Sequence, residues 1–146
     1  MLKGIDPRLG PDLLSSLRSM GHGDEIVIAD ANFPAQANAR RLCRADGVSA
    51  VDMVCAIMSV MPLDDFVEAA AFSMAVVGAP NETPPIVGNF AAELRAAGYS
   101  GPVVALERQA FYDRARNAFV IVATGEQRVY GNLILIKGVL RPDAGV

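Results

Sequence analysis

Four short apolar runs constrain this chain more than any other feature. They are Glu25-Ile26-Val27-Ile28-Ala29-Asp30, Val103-Val104-Ala105-Leu106, Phe119-Val120-Ile121-Val122-Ala123 and Leu133-Ile134-Leu135-Ile136. Their near-continuous apolar character predicts buried strands covered on both faces. The segments between them carry helical signals. Residues 12–20 place Leu13, Leu14 and Leu17 on one face, and Gly21 stands where a helix stop belongs. Ser49 is positioned to cap a helix running to about residue 61, with Asp52 in its first turn. Residues 86–97 predict another helix, stopped by Gly98, and residues 109–118 a further one. A strand is expected within 66–77, although alanines dilute its pattern. Alternating helices and buried strands predict an α/β fold, a single layered domain over residues 1–146 with a central sheet and flanking helices.

A chain of 146 residues can bury a core of its own. It is 52% hydrophobic and 20% charged, greasy for a monomer of this size. No apolar run reaches the roughly 18 residues of a membrane span. Residues 48–61 come closest, but Ser49, Asp52 and Ser59 interrupt them. The surplus apolar surface belongs in a protein interface, and a homo-oligomer is the simplest host. The opening MLKGIDPRLG lacks the apolar core of a signal peptide, so a cytoplasmic location is expected. The sequon Asn81-Glu82-Thr83 would then stay unused. Cys43 and Cys55 form no CxxC pair and read as reduced, buried small hydrophobes. One histidine and two cysteines argue against a zinc site, and no metal or cofactor is expected. A net charge of −3 lacks the basic excess of a nucleic-acid binder. The cluster Arg40, Arg41, Arg44 reads as a solvated face or a subunit contact.

The candidate chemistry centres on His22, in Met20-Gly21-His22-Gly23-Asp24. An imidazole exchanges protons near neutrality, and its flanking glycines let a ligand approach. Asp24 is placed to orient the ring; the competing reading is a helix-capping histidine with an incidental neighbour. Asp30 closes the first strand, and ligands of α/β sheets gather at the carboxyl ends of strands. A carboxylate there can grip sugar hydroxyls, or simply cap the turn that Asn32 and Pro34 mark. Tyr130-Gly131-Asn132 sets a phenol and a carboxamide around a glycine, suited to a polar ligand or to an ordinary turn. Arg108 follows the strand 103–106, and Tyr112, four residues on, shares its helical face. Asp64 is an acid in a tight bend, with turn formation as its plainer role. No phosphate loop, dinucleotide fingerprint or GxSxG motif is present. What remains is proton transfer combined with polar recognition.

These residues carry a resemblance. The stretch from Met20 through Asp30-Ala31-Asn32-Phe33-Pro34 resembles the opening motif of the ribose-pyranase/fucose-mutarotase family, in its fucose-mutarotase branch. Arg44-Ala45-Asp46-Gly47, Pro62-Leu63-Asp64, Glu107-Arg108 with Phe111-Tyr112, Ala123-Thr124-Gly125-Glu126 and Tyr130-Gly131-Asn132-Leu133-Ile134-Leu135 follow in family order. Ribose pyranases usually carry Tyr-Ala-Asn near the end and a histidine before the later helix, so the motifs here resemble the fucose branch. The resemblance implies cofactor-independent interconversion of L-fucose anomers, with D-ribose pyranase activity or non-catalytic monosaccharide binding as alternatives. By the same resemblance His22 is the proton donor. Asp30, Arg108, Tyr130, Gly131 and Asn132 bind the sugar, Asp64 and Tyr112 take part in proton transfer, and His22 is expected to face Asp30 and Asn132 across one pyranose-sized pocket. It also implies a ring-shaped homo-oligomer, commonly a decamer.

Overall fold

The computed structural model describes residues 1–143. Five helices alternate with six strands. The helices are α1 (Pro11–Ser19), α2 (Ala35–Asn38), α3 (Ala50–Met58), α4 (Pro85–Ala96) and α5 (Arg108–Asn117). The strands are β1 (Glu25–Ala29), β2 (Leu42–Ala45), β3 (Ala71–Met74), β4 (Val103–Leu106), β5 (Val120–Thr124) and β6 (Leu133–Ile136). They form one sheet in the order β2-β5-β1-β6-β3-β4. Only β6 runs against its neighbours, pairing antiparallel with β1 and β3.

Alternate residues of the central strands serve two cores. Ile26, Ile28, Val120, Val122, Leu133 and Leu135 pack with Leu13 and Leu17 of α1, Met53 and Ile57 of α3 and Phe90 and Leu94 of α4. On the opposite face Val27, Ala29, Ile121, Ala123 and Ile134 pack with Ala35 of α2 and Phe111 and Ala115 of α5. Helices cover both faces, so the central strands need apolar residues at every position. The layered α/β architecture is the one expected. Among the described residues no helix is long and apolar enough to cross a membrane.

Several local expectations are corrected. Val103–Leu106 is an edge strand rather than a buried one, and Val104 is 37% exposed. Strand β2 and the short α2 were not anticipated; Arg44 in mid-strand breaks the apolar run, as the other edge of the sheet permits. Helix α1 stops without a left-handed residue, since Met20 caps it in extended conformation. Gly23, not Gly21, takes the positive φ of 86°. Ser49 does cap helix α3, its Oγ accepting from Asp52 N, but the helix ends at Met58. Cys43 is buried as expected, whereas Cys55 is exposed.

Candidate active site

The parallel strands bring one group of predicted residues together at their carboxyl ends. Asp30 follows β1, Arg108 opens α5 just beyond β4, and Tyr130 and Asn132 precede the antiparallel β6. With Asn32, Phe33, Met74, Val77, Tyr112 and Val129 they line a cleft of about 280 Å³. Asp30 and Asn132 are 5% and 4% exposed and satisfy each other. Asp30 N donates to Asn132 Oδ1 at 2.8 Å, and Asn132 Nδ2 donates to Asp30 Oδ2 at 2.9 Å. Asn32 N donates to the other carboxylate oxygen at 3.0 Å. Each carboxamide atom keeps one further hydrogen-bonding valence for a ligand.

Tyr130 is held at φ 61°, a region costly for a residue with a Cβ. Val77 N donates to its Oη at 3.1 Å, which leaves the phenolic hydrogen free to be donated. Tyr112 stacks on Phe33 at 5.1 Å with an interplanar angle of 11°. The Arg108 guanidinium lies 5.6 Å from the Tyr112 ring centre, as their shared helical face anticipates. The lining therefore combines the polar Asp30, Arg108, Tyr130 and Asn132 with the apolar Phe33, Met74, Val77 and Val129.

His22 lies at the opposite end of the sheet, before β1. Its Nε2 is 3.0 Å from Asp64 Oδ1, and its ring stands 5.2 Å from that of Phe66. The imidazole is 46% exposed while Asp64 is buried. Phe66 N also donates to Asp64 Oδ1. That backbone bond, followed by the hydrogen bond from His22, holds the Asp64 carboxyl below its ordinary range. Asp64 is brought there by its N–H bond to Ile136 O and by the Leu63–Lys137 bridge. The Lys137 ammonium donates to Leu17 O and Met20 O, pinning the end of α1 that leads into His22. Burial, then the nearby Arg18 charge, pushes its pKa down.

Two expectations fail here. Asp24 does not orient His22: its Oδ2 accepts from Gly21 N at 2.7 Å and braces the turn instead. Nor does His22 face Asp30 within one chain. The five residues of β1 lie between them, a strand length of about 16 Å at about 3.3 Å per residue. Tyr112 belongs to the Asp30 group and Asp64 to the His22 group. Sequence reasoning did not single out Phe33, Met74, Val77 or Phe66; only Phe33 lay within a motif already noted. Among the described residues no group of three His, Cys, Asp or Glu side chains is placed to hold a metal ion.

Comparison with known proteins extends this picture. The profile of the RbsD / FucU transport protein family matches residues 3–140. The chain is 44% identical to the fucose mutarotase of Homo sapiens over 149 residues, covering 95% of this chain and 94% of that protein. It is 41% identical to the L-fucose mutarotase of Actinobacillus pleuropneumoniae serotype 5b (strain L20), with coverage of 95% and 97%. The crystal structure of the fucose mutarotase from Streptococcus pneumoniae in complex with L-fucose superposes with a TM-score of 0.91. That match has 42% identity and covers 96% of this chain and 100% of the other.

Proposed function

From the premise that the chain belongs to the RbsD / FucU transport protein family, we propose that it is an L-fucose mutarotase, an isomerase that interconverts the sugar's α and β anomers without a cofactor. The observation that carries this reading is a cleft lined by both polar and apolar side chains. Asp30, Arg108, Tyr130 and Asn132 offer donors and acceptors to ring hydroxyls, while Met74, Val77 and Val129 in the same lining offer apolar contact to the C6 methyl.

Mutarotation needs two proton transfers on one sugar. A base removes the proton of the anomeric hydroxyl while an acid protonates the ring oxygen, and the C1–O5 bond breaks to give the open aldehyde. Rotation about C1–C2 presents the other carbonyl face, and the same transfers run in reverse to close the ring. Each well-placed group contributes about 10²–10⁴-fold. We assign one transfer to His22, oriented by Asp64, and the other to Tyr112, which stands in the cleft beside Arg108. Asp30 and Asn132 hold the non-reacting hydroxyls so that the opened sugar stays in place.

One chain cannot bring His22 to that sugar, so the site is proposed to be shared between copies. Val77 and Val129 on the cleft rim are 60% and 66% exposed. Beside His22, Phe66 and Val67 are 67% and 44% exposed. These are different patches at opposite ends of the sheet. Joining them makes a head-to-tail contact, the kind that closes into a ring. The reading therefore includes a ring-shaped homo-oligomer, a decamer by family resemblance, working as a single-domain enzyme in the cytoplasm.

Mixing two inactive variants tests this. His22→Ala and Arg108→Ala each damage one half of the site, and each alone is expected to lose L-fucose anomer exchange measured by saturation-transfer NMR. Co-expressed at equal levels, they should regain about a quarter of wild-type exchange, because random head-to-tail neighbours restore one intact site in about four. Mixed oligomers with no recovered exchange would refute the shared site. Near-normal exchange in His22→Ala alone would remove His22 from the mechanism. Absence of exchange in the wild type would refute the activity.

A further inference from the structure

Glu126 is a buried carboxylate to which the mechanism gives no role. It is 5% exposed and lies outside the lining of the sugar cleft. A buried charge costs several kcal/mol unless it is paired and hydrogen-bonded, and this one is both. Its carboxylate accepts from Arg128 N at 3.1 Å, Arg128 Nε at 2.9 Å and Arg128 Nη2 at 3.1 Å. It also accepts from Ala50 N, at the start of α3, at 3.3 Å. Arg128 Nη1 reaches on to Asn89 Oδ1 of α4 at 3.0 Å.

The backbone of Glu126 is tied equally firmly to the first strand. Its carbonyl accepts from Ala31 N at 2.8 Å, next to Asp30. Its N–H donates to Thr124 Oγ1, whose hydroxyl donates to Ala29 O at 2.7 Å. At the start of α3 Ser49 takes Asp52 N and Glu126 takes Ala50 N, so only one of the carboxylate's four contacts serves that helix and the other three go to Arg128. What the carboxylate fixes is the short path from 126 to 132. Arg128 is bound through both its backbone and its side chain. Gly131 lies so close that a methyl group there would come within 2.8 Å of Glu126 Cγ and 3.0 Å of Arg128 O. Between these fastenings Tyr130 is kept at its unfavourable φ, and beyond them Asn132 meets Asp30.

We infer that Glu126, clamped to Arg128, is a positioning residue that sets residues 127–132 so that Tyr130 and Asn132 present their polar atoms to the sugar. This rests on the reading of that cleft as the sugar site. Arg128 keeps the Glu126 carboxyl below its ordinary range, in keeping with a permanently ionised clamp. The clamp acts on recognition and leaves the His22–Asp64 pair at the other end of the sheet untouched.

The test compares wild type, Glu126→Gln and Arg128→Ala by two measurements. Exchange rate against L-fucose concentration should show the half-saturating concentration raised at least about fivefold in both variants, the loss expected when a charge-assisted hydrogen bond is weakened. The rate at saturation should stay within about twofold of wild type, the signature of lost uniform binding. In sugar-free protein the amides of 128–131 should exchange with solvent at least about fivefold faster, a local opening. An unchanged half-saturation with a lower maximal rate would mean that only folded protein was lost, and would overturn the inference. Unchanged amide exchange would overturn it too. Arg128 is 49% exposed, so Arg128→Ala decides the matter should Glu126→Gln not fold. If the wild type exchanges no L-fucose anomers the proposed activity falls, yet the amide measurement still decides whether Glu126 orders the segment.

Discussion

Asn132→Ala, studied without sugar, isolates the structural role of this side chain from its proposed role as a sugar ligand. The substitution strips the acceptor from Asp30 N, buried at 2.8 Å, and the donor from Asp30 Oδ2, at 2.9 Å. A buried N–H without a partner costs about 1–3 kcal/mol, and a hydrogen bond to a charged group contributes about 1.5–3 kcal/mol. The cleft is adjacent, so water can enter and recover part of this, which brings the expected loss to about 2–4 kcal/mol. For a chain of this size each kcal/mol lowers Tm by about 2–4 °C, so a fall of about 4–16 °C is expected. The assay is a thermal scan by circular dichroism without sugar, at fixed protein concentration because oligomers gain stability by mass action. Asn32→Ala is the control, since Asn32 serves Asp30 through its backbone N–H and its residue is exposed. A fall in the Asn132 variant no larger than in that control would refute the view that the Asp30–Asn132 pair holds the cleft together.

Two further outcomes follow from the same geometry. Asp64 has its pKa lowered in the folded state by the Phe66 N–H and then by His22, so its contribution to stability is present above the ordinary value of 3.8 and is lost as pH falls through the folded value. The Tm difference between wild type and Asp64→Asn should accordingly be full at neutral pH and close in strong acid; a gap that is constant with pH would contradict this. Val77→Ser replaces part of the cleft's apolar lining, proposed above to contact the C6 methyl. At about 0.8 kcal/mol per buried methyl-sized group, the preference for L-fucose over L-galactose in the exchange assay should fall about fourfold, and an unchanged ratio would remove Val77 from sugar selection.

The central strands were legible because helices cover both of their faces. That requirement leaves an uninterrupted apolar code in β1, β5 and β6, and β1 and β6 fall on the predicted residues. The same code misled at β4. Val103-Val104-Ala105-Leu106 is as apolar as β6 yet stands at the sheet edge, and composition does not say whether a helix or another chain covers a strand. Strand β2 was hidden for the converse reason, as an edge tolerates Arg44. The convergence of Asp30 and Arg108 could be read from their positions at the carboxyl ends of strands, whereas Asn132 precedes β6 and joins them only because that strand runs antiparallel. The distance from His22 to Asp30 was equally implicit, because one precedes β1 and the other follows it. The pairing of His22 with Asp64 was not legible. It depends on the antiparallel return of β6, which brings Ile136 and Lys137 beside β1 and carries residues 63–64 with them.

The two halves of the proposed site differ in physical character, and the difference suits the reaction. Recognition groups must stay put while the sugar opens, turns and closes. Asp30, Asn132 and Tyr130 meet that need because each is already held by a protein partner, so binding orders few new groups. A proton-transfer group has the opposite need, since it must meet the ring oxygen or anomeric hydroxyl and return to its starting state each cycle. His22 fits that role, half-exposed on a turn that Gly23, Asp24 and Lys137 brace from behind. Burying such an imidazole in the same chain as the rigid cluster would close the cleft against the sugar. Placing it on a neighbouring copy leaves the cleft open for folding and complete only on assembly. Phe66 and Val129, both exposed in the single chain, lie beside the two halves and are the apolar residues that the proposed assembly would cover.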